Sequence, residues 1–245
     1  MSRGTVIVGA TSAIARAVAR ACAERGDRLV LAGRDLDECR RLADDARTRF
    51  GVEAHAIRID LEDMDPCAFA RSCSEALEGA IDELVCCQGF MAQQEDAQRD
   101  PALVRRTVAV NLSSVIELCE AFAPLLRTPG ARIGVVSSVA GDRGRPSNHI
   151  YGCSKAGVNA YLEGLAPRLR ERGISVTTIR PGFVDTAMTW GLPGMFLVAD
   201  PDDVGRAIVR GMSRGAPVIY TPFFWRWIML IIRCIPGPIY RRLSL

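Results

Sequence analysis

The sequence predicts one α/β domain, built on a doubly wound parallel sheet of about seven strands. Short apolar runs alternate with helical patterns along the chain, and these runs lack the polar alternation of a strand with one wet face. No linker-like stretch or change of composition interrupts the chain before Thr221. A length of 245 residues fits a single large domain. Right-handed crossovers would place helices on both faces of the sheet.

The expected strands are seven apolar runs, each followed by turn residues or a helical pattern. They cover 5–9, 28–32, 55–59, 82–87, 131–137, 174–179 and 217–220. Helical spacing of apolar residues predicts helices over 12–25, 35–50, 66–79, 101–126, 150–172 and 203–212. In the first of these helices, Ile14, Val18, Ala21 and Cys22 share one face.

The composition excludes other classes of protein. A formal net charge of +3 is too small and too evenly spread for nucleic-acid binding as the main activity. Nine cysteines include no CxxC pair and the chain has only two histidines, so neither a metal site nor a disulfide framework is expected. The residues before the first strand do not have the pattern of a secretory leader, so we do not expect one. We therefore expect thiols that are buried as small hydrophobes in a reducing cytoplasm.

The segment 9–15 joins the first strand to the first helix and is rich in small residues. A tight turn at this place lets backbone N–H groups at the helix start meet a pyrophosphate. The segment does not match GxGxxG, so a tight turn of any α/β protein is an equally good interpretation. The positions expected to contact a dinucleotide are Gly9, Thr11, Ser12, Ala13 and Ile14.

The ends of the second and third strands carry residues that bear on the choice of cofactor. An acidic residue at the end of the second strand holds the ribose diol of NAD, whereas an arginine accommodates the 2′-phosphate of NADP. This chain has Gly33 followed by Arg34, which favours NADP(H) and leaves NAD(H) as the alternative. Asp60 and Leu61 follow the third strand, where they are expected to reach the adenine ring. A solvated aspartate at a strand end is the competing interpretation.

A tyrosine and the only lysine of the chain lie four residues apart. Of the 31 basic residues, all but Lys155 are arginines, and an arginine cannot replace a lysine where a compact ammonium is needed. Tyr151 and Lys155 would share one helix face. An ammonium close to a phenol favours the phenolate, so we expect Lys155 to lower the pKa of Tyr151. Tyr151 would then serve as a general acid or base near neutral pH.

Two further polar residues lie where a ligand crevice is expected. Ser138 follows the strand that precedes Tyr151, and the carboxyl ends of parallel strands border the crevice. Its hydroxyl could hold a carbonyl or alkoxide oxygen, although a serine at a strand end is more often a turn residue. Asn111 lies inside the expected 101–126 helix, where asparagine is a mediocre residue unless a polar site requires it.

These residues resemble the short-chain dehydrogenase/reductase family, over about residues 3–220. The Tyr-x-x-x-Lys pair of the family matches Tyr151 and Lys155, its serine matches Ser138 and its asparagine matches Asn111. The resemblance implies a Rossmann-like fold with Tyr151 as the general acid/base. It implies that Lys155 lowers the pKa of that tyrosine and holds the nicotinamide ribose. Ser138 would position the substrate oxygen, and Asn111 would hold a water of a proton relay.

The chain departs from the family pattern at two places in the cofactor region. Ala13 and Ala15 replace glycines of the first turn, and Cys86-Cys87-Gln88-Gly89 replaces Asn-Asn-Ala-Gly. The alanine-substituted turn is similar to a bacterial subgroup that includes the reductase partner in making decaprenylphosphoryl arabinose. The remaining cofactor-contacting positions that the resemblance implies are Gly89, Pro181, Gly182, Val184 and Thr186.

The last quarter of the chain contains a substrate segment and an unusual tail. The apolar segment 186–200 would belong to a catalytic domain 1–221, and it predicts either an apolar substrate or helices packed over the crevice. The tail 222–245 contains four arginines and no acid. Its apolar stretch between two of those arginines is far too short to span a bilayer. Residues 223–242 would lie on a membrane surface or pack against another subunit.

The favoured function is an NAD(P)-dependent oxidoreductase that moves a hydride between nicotinamide and a carbonyl or secondary alcohol. The hypothesis also includes a small or lipid-like substrate and a homo-oligomer. The expected location is the cytoplasm, with peripheral binding at the inner face of the membrane as part of the same hypothesis. A non-catalytic dinucleotide sensor and a membrane-recruited scaffold are the alternatives, because a fold alone does not decide between them.

Overall fold

The computed structural model describes residues 2–190 and 196–243. Within these ranges the chain forms a parallel sheet of seven strands, as predicted. Each strand lies within two residues of its expected position. The strands are β1 Gly4–Val8, β2 Arg28–Gly33, β3 Ala54–Arg58, β4 Glu83–Cys86, β5 Arg132–Val136, β6 Ser175–Pro181 and β7 Val218–Thr221.

The strand order is β3-β2-β1-β4-β5-β6-β7, so the chain starts in the middle of the sheet and winds outward in both directions. Val8 of β1 is paired with Ala32 of β2 on one side and with Cys86 of β4 on the other. Connections that leave β1 and β4 go in opposite directions, and a crevice opens at their carboxyl ends. This topology confirms the predicted doubly wound α/β fold.

Helices cover both faces of the sheet, and side-chain caps begin many of them. The oxygens of Ser12, Asp35, Asp65, Asp100 and Asp200 accept hydrogen bonds from backbone N–H groups of the turns that follow. The helices are α1 Ala13–Glu24, α2 Leu36–Phe50, α3 Pro66–Ala76, α4 Gln94–Arg99, α5 Pro101–Val108, α6 Ser114–Phe122, α7 His149–Arg170, α8 Pro201–Ser213, α9 Trp225–Cys234 and α10 Gly237–Tyr240.

The predicted helix over 101–126 is not continuous. A π-helical turn, Ala109–Ser113, separates α5 from α6, and Asn111 lies in its centre. Such turns insert an extra residue into a helix and occur often at functional sites. The sequence did not reveal the turn, because its residues are compatible with an ordinary α-helix.

A buried ion cluster lies at the amino-terminal edge of the sheet, opposite the crevice. Glu83 of β4 is 1% exposed and accepts hydrogen bonds from Arg25 at 2.6 Å and from Arg132 at 2.8 Å. Arg25 also bonds to Asp27, whose other contact is the hydroxyl of Thr5 at 2.9 Å. These groups join the end of α1 to β1, β4 and β5.

The C-terminal tail packs on its own domain. Trp225 and Met229 of α9 are buried against Val139 and Phe183, and the rings of Phe183 and Trp225 lie 5.7 Å apart. The sequence analysis weighed a membrane surface and another subunit, and the structure adds this third contact. The opposite face of α9 is exposed, with Trp227 58% and Ile231 68% accessible.

Two further observations concern the described part of the chain. No helix within residues 2–190 and 196–243 combines the length and the apolar character that crossing a membrane requires. All nine cysteines lie in these ranges and are free thiols, six of them buried. The expectation of buried thiols is wrong for Cys67, Cys153 and Cys234, which are exposed on α3, α7 and α9.

Candidate active site

Two adjacent cavities open at the carboxyl-terminal edge of the sheet. The first, of about 510 Å³, extends from the β1–α1 turn to Ser138 and Tyr151. The second, of about 310 Å³, extends from Gly9 to Arg34. Both are lined by Gly89, among other residues, so they form one crevice across the point where the strand order reverses.

The turn from β1 to α1 supplies one wall of this crevice. Gly9 has a φ of +74°, and a Cβ there would lie 2.7 Å from the backbone nitrogen of Gln88, so only glycine fits. Ser12 caps α1 by accepting a hydrogen bond from the Ala15 N–H at 3.3 Å. With alanine as its first residue, the helix start presents backbone N–H groups to the cavity without a large side chain in front of them. This arrangement fits a pyrophosphate.

The second cavity combines basic and acidic groups at the ends of β2 and β3. Arg34 follows β2, and its Nη1 lies 3.7 Å from Oε1 of Glu62. Arg106 of α5 donates from Nε to the same oxygen at 3.0 Å. Asp60 also lines this cavity, and its Oδ1 accepts from the Glu62 N–H at 3.2 Å. The sequence analysis did not find Arg106 or Glu62, because their proximity depends on how α5 packs beside the β3 end.

Ser138, Tyr151 and Lys155 line the first cavity together. Ser138 follows β5, and its Oγ accepts from the Ala140 N–H at 3.1 Å. Tyr151 and Lys155 lie in the first two turns of α7, with the Lys155 Nζ 5.9 Å from the centre of the tyrosine ring. That nitrogen donates to the Val136 carbonyl at 2.9 Å, and the lysine is only 2% exposed.

Burial shifts the pKa values of both groups. Burial raises the pKa of Tyr151 to about 12, and the nearby Ser138 hydroxyl acts weakly in the opposite direction. Burial also lowers the pKa of Lys155 to about 8, against the smaller opposite effects of Cys87 and Cys86. The predicted lowering of the Tyr151 pKa by Lys155 is wrong for this arrangement, because desolvation dominates and the only group among the described residues that lowers this pKa is the Ser138 hydroxyl.

The side chain of Asn111 lies behind the cavity wall rather than in it. Its Nδ2 donates to the Phe90 carbonyl at 2.8 Å and to the Ser154 hydroxyl at 3.0 Å, and its Oδ1 accepts from the Phe90 N–H at 2.7 Å. These bonds join the π-helical turn to the loop after β4 and to α7. The water-holding role that the resemblance implies stays a prediction, because these bonds show only that the amide also positions the neighbouring segments.

This chain departs from the family pattern in the loop after β4. Whether a nicotinamide dinucleotide fits the crevice therefore depends on the residues of that loop. Gly89 has no side chain, and a Cβ built at this position would lie within 4 Å of atoms of Met188, Asn111 and Lys155. Gln88 lines both cavities, and its buried Oε1 has no hydrogen-bond partner among the described residues. The small residue at position 89 leaves room for an extended ligand, and the unused acceptor of Gln88 can bind a polar edge of that ligand.

Two polar residues of the first cavity were missed by the sequence analysis. Arg145 and Asn148 lie between Ser138 and Tyr151, in the loop that precedes α7, and both line the cavity. The remaining wall is largely apolar and includes Met91, Phe183 and Met188. The only available signal was their position between two expected catalytic residues.

Every predicted site residue except Asn111 lines one of the two cavities. Of the expected substrate segment 186–200, residues 191–195 lie outside the described ranges. Thr186 bonds to the Thr189 hydroxyl, at 3.2 Å between their side-chain oxygens. The cavity-lining residues that were predicted are Gly9, Thr11, Ser12, Ala13, Ile14, Arg34, Asp60, Leu61, Gly89, Ser138, Tyr151, Lys155, Pro181, Gly182, Val184 and Thr186.

The family follows from a comparison with known proteins. The short chain dehydrogenase family model matches residues 3–194, which is more than half of the chain and includes Ser138, Tyr151 and Lys155. The chain belongs to the short-chain dehydrogenase family. It is an oxidoreductase with a Rossmann-like fold that acts on alcohol or carbonyl groups with a nicotinamide dinucleotide. This result favours an enzyme over the sensor and the scaffold.

Individual relatives of this short-chain dehydrogenase agree with that placement. An uncharacterised oxidoreductase of Mycobacterium tuberculosis is 31% identical over 97% of the chain and 96% of the relative. A Sphingobium yanoikuyae short-chain dehydrogenase in complex with NADPH is 27% identical, with a TM-score of 0.82 over 96% of this chain and 97% of that one. A Comamonas testosteroni alcohol dehydrogenase specific for bulky-bulky ketones is 26% identical, with a TM-score of 0.80 over 94% and 90%.

Proposed function

We propose that this short-chain dehydrogenase uses NADP(H) to interconvert a ketone or aldehyde and its alcohol in the first cavity. The observation that carries the proposal is the convergence of Ser138, Tyr151 and Lys155 on one cavity at the switch point of the sheet. When bound, the nicotinamide dinucleotide supplies or accepts the hydride. The residues of the chain bind and orient the substrate and move the proton.

Tyr151 is the proton donor in the direction of reduction. Its pKa of about 12 keeps the phenol protonated at neutral pH, ready to give its proton to the oxygen of a carbonyl substrate. Ser138 holds the same oxygen by a hydrogen bond and so sets its distance from the phenol. In the opposite direction Tyr151 would need to be ionised first, which makes oxidation the reaction that benefits from high pH.

Lys155 supplies a positive charge beside the donor and binds the nicotinamide ribose. The Val136 carbonyl fixes its ammonium at 2.9 Å, which leaves the remaining N–H bonds free to point into the cavity.

Asn111 acts as a positioning residue, because its three hydrogen bonds hold the loop after β4 and the first turn of α7 in one arrangement.

The test of this assignment is Tyr151→Phe, which removes the transferable proton and keeps the ring. We expect kcat to fall by about 100-fold or more, while the Kd for NADPH, measured by fluorescence titration, stays within a factor of about three. Tyr161→Phe is the matched control, since Tyr161 lies on the same helix and bonds to Glu120 outside the cavity. Undiminished turnover in Tyr151→Phe contradicts the assignment.

The preference for NADP over NAD rests on Arg34 and Arg106, which both line the second cavity. Their shared partner Glu62 brings the two guanidinium groups together beside the end of β2, where the proposal puts the 2′-phosphate. A fluorescence titration with NADPH and NADH, side by side, tests this preference. Arg34→Gln is expected to weaken NADPH binding about 10-fold and to leave NADH binding unchanged. Tighter binding of NADH by the unaltered protein makes NAD(H) the cofactor.

The walls of the first cavity favour a substrate with apolar parts, since Met91, Phe183 and Met188 surround the polar centre. A hydrophobic or lipid-linked substrate suits these walls. The likeness of the first turn to the decaprenylphosphoryl arabinose subgroup points the same way. In this proposal residues 1–221 form the catalytic domain and 186–200 cover the substrate.

The tail 222–245 would hold the enzyme at a membrane surface. Phe223, Trp227 and Ile231 are exposed on the outer side of the tail, and its arginines complement anionic lipids because no acid accompanies them. Flotation with phosphatidylglycerol and phosphatidylcholine vesicles tests this role. Binding to anionic vesicles that Trp227→Ser and Ile231→Ser abolish supports it. A homo-oligomer that dissociates in the same variant, measured by light scattering, would assign the face to another subunit.

A further inference from the structure

Arg145 differs from neighbouring arginines in having no strong partner. Within residues 2–190 and 196–243 it makes no ion pair, and its hydrogen-bond contact is the thioether sulfur of Met229, at 3.4 Å from Nη2. A thioether is a weak acceptor. By contrast, Arg143 donates to the carbonyls of Ile232 and Arg233 and stacks on Tyr240, and Arg180 pairs with Asp142 at 2.9 Å.

The surroundings of Arg145 make this arrangement costly without a ligand. Its side chain is partly removed from water, and burial lowers the pKa of the guanidinium against the smaller opposite effects of Tyr240 and Asp142. Asp142 forms neither a hydrogen bond nor an ion pair with Arg145; its carboxylate accepts from the Tyr220 hydroxyl at 2.8 Å and pairs with Arg180. A desolvated guanidinium is stabilised by an oxyanion that accepts from it, and a thioether does not replace such a group.

Asn148 provides a second unused polar group beside Arg145. It precedes α7 at the capping position but makes no side-chain capping bond, and its Oδ1 is buried with no partner among the residues that the structure describes. Both residues line the same cavity as Tyr151, which follows Asn148 by three positions. The lining of this cavity therefore includes two polar groups, on Arg145 and Asn148, that have no strong protein partner among the described residues.

We propose that Arg145 binds an anionic group of the substrate, a carboxylate or phosphate carried by the molecule whose carbonyl or alcohol is held at Tyr151. Asn148 accepts a hydrogen bond from a hydroxyl or N–H group next to that anion. This inference rests on the proposed function and narrows its substrate class to anionic carbonyl compounds or alcohols. The guanidinium fits either anion, because its fork of N–H donors matches both in a bidentate manner.

Two pairs of probes separate charge from the rest of the substrate. Levulinate and methyl levulinate test the carboxylate, and dihydroxyacetone phosphate and dihydroxyacetone test the phosphate. We expect the unaltered enzyme to prefer at least one anionic probe to its neutral counterpart. In Arg145→Gln the kcat/KM for that anion should fall about 10- to 100-fold, with less than a threefold change for the neutral probe. Arg145→Lys should retain part of the preference.

Arg71→Gln is the matched control, since Arg71 is exposed on α3, away from the cavity. The Kd for NADPH should be the same in all variants, because Arg145 lies at the substrate end. An unchanged ratio of kcat/KM between the anionic and neutral probes in Arg145→Gln overturns the inference.

A second readout keeps the inference separate from the proposed reaction. Calorimetric titration with the two anionic probes, with and without NADP+, measures binding whether or not turnover occurs. Binding of an anion that is lost in Arg145→Gln supports the inference even if no probe is reduced, in which case the proposed reaction alone fails. Equal binding by the variant, or no binding of either anion by the unaltered protein, overturns the inference.

Discussion

Lys155 is expected to lower the stability of the folded state while it serves the proposed reaction. It is the only lysine of the chain, it is 2% exposed, and burial lowers its pKa to about 8. A buried ammonium whose partner is a neutral carbonyl is a cost to the folded state. The role proposed for Lys155, in the cavity that it lines together with Tyr151, gives a reason for a lysine at this position.

Replacing Lys155 with methionine should therefore stabilise the protein while it removes activity. We expect Lys155→Met to raise the free energy of unfolding at pH 7 by about 1–3 kcal/mol, measured by urea denaturation. The folded-state pKa lies below the usual value of 10.5, so the cost is fully present below pH 8 and disappears as the pH rises toward 10.5. A variant less stable than the unaltered protein at pH 7 would contradict this account.

The pH dependence of reduction should follow the same two groups. Tyr151, with a pKa of about 12, stays protonated across the accessible range, whereas Lys155 loses its charge as the pH rises through about 8. We expect kcat/KM for carbonyl reduction to be constant below that value and to fall above it, because kcat/KM reports groups of the free enzyme. A profile that is flat from pH 6 to 10 would remove Lys155 from this role.

At the scale of elements, α9 is the part that sequence reasoning interpreted least completely. Its spacing of apolar residues indicates an amphipathic helix, but a periodic pattern does not say what covers each face. The structure shows that the face with Trp225 and Met229 closes over Val139 and Phe183, beside the cavity. The tail thus packs on residues that line the first cavity, and its other face is free for a partner.

Gly182 is the residue on which this docking depends. A Cβ at that position would overlap the indole of Trp225. We expect Gly182→Ala to displace α9, to lower the free energy of unfolding by about 1–3 kcal/mol and to change the tryptophan fluorescence. Gly164→Ala is the matched control, because Gly164 is exposed on α7 with open space around it and should gain up to about 1 kcal/mol. Equal stability of the two variants would show that the packing of α9 is loose.

The whole molecule separates stability and chemistry between the two edges of its sheet. The amino-terminal edge holds the cluster around Glu83, which Arg25 and Arg132 neutralise at 2.6 and 2.8 Å. The carboxyl-terminal edge holds the crevice with its unused polar groups. Parallel strands that all run in one direction bring every loop with a functional residue to the same edge.

Glu83→Gln should accordingly affect stability and leave the crevice unchanged. The substitution leaves two arginines without their shared buried carboxylate, so we expect the free energy of unfolding to fall by about 2–4 kcal/mol. The Kd for NADPH should not change. Glu75→Gln, at an exposed position of α3, is the control and should be near neutral. A change in cofactor affinity in Glu83→Gln would mean that the two edges are coupled.

The sequence by itself determined the strands, their parallel arrangement and the family, because buried parallel strands are continuous apolar runs and Tyr151, Lys155 and Ser138 lie at characteristic spacings. It also predicted many of the positions that line the crevice, since strand ends converge in this topology, but it missed Arg106, Arg145 and Asn148. Only the tertiary structure decided the properties that depend on burial and on contacts distant in sequence. These properties are the directions in which the pKa values of Tyr151 and Lys155 shift, the hydrogen bonds of the Asn111 amide, the packing of α9 and the weakly partnered guanidinium of Arg145. Desolvation and packing are properties of the folded chain, and no local pattern encodes them.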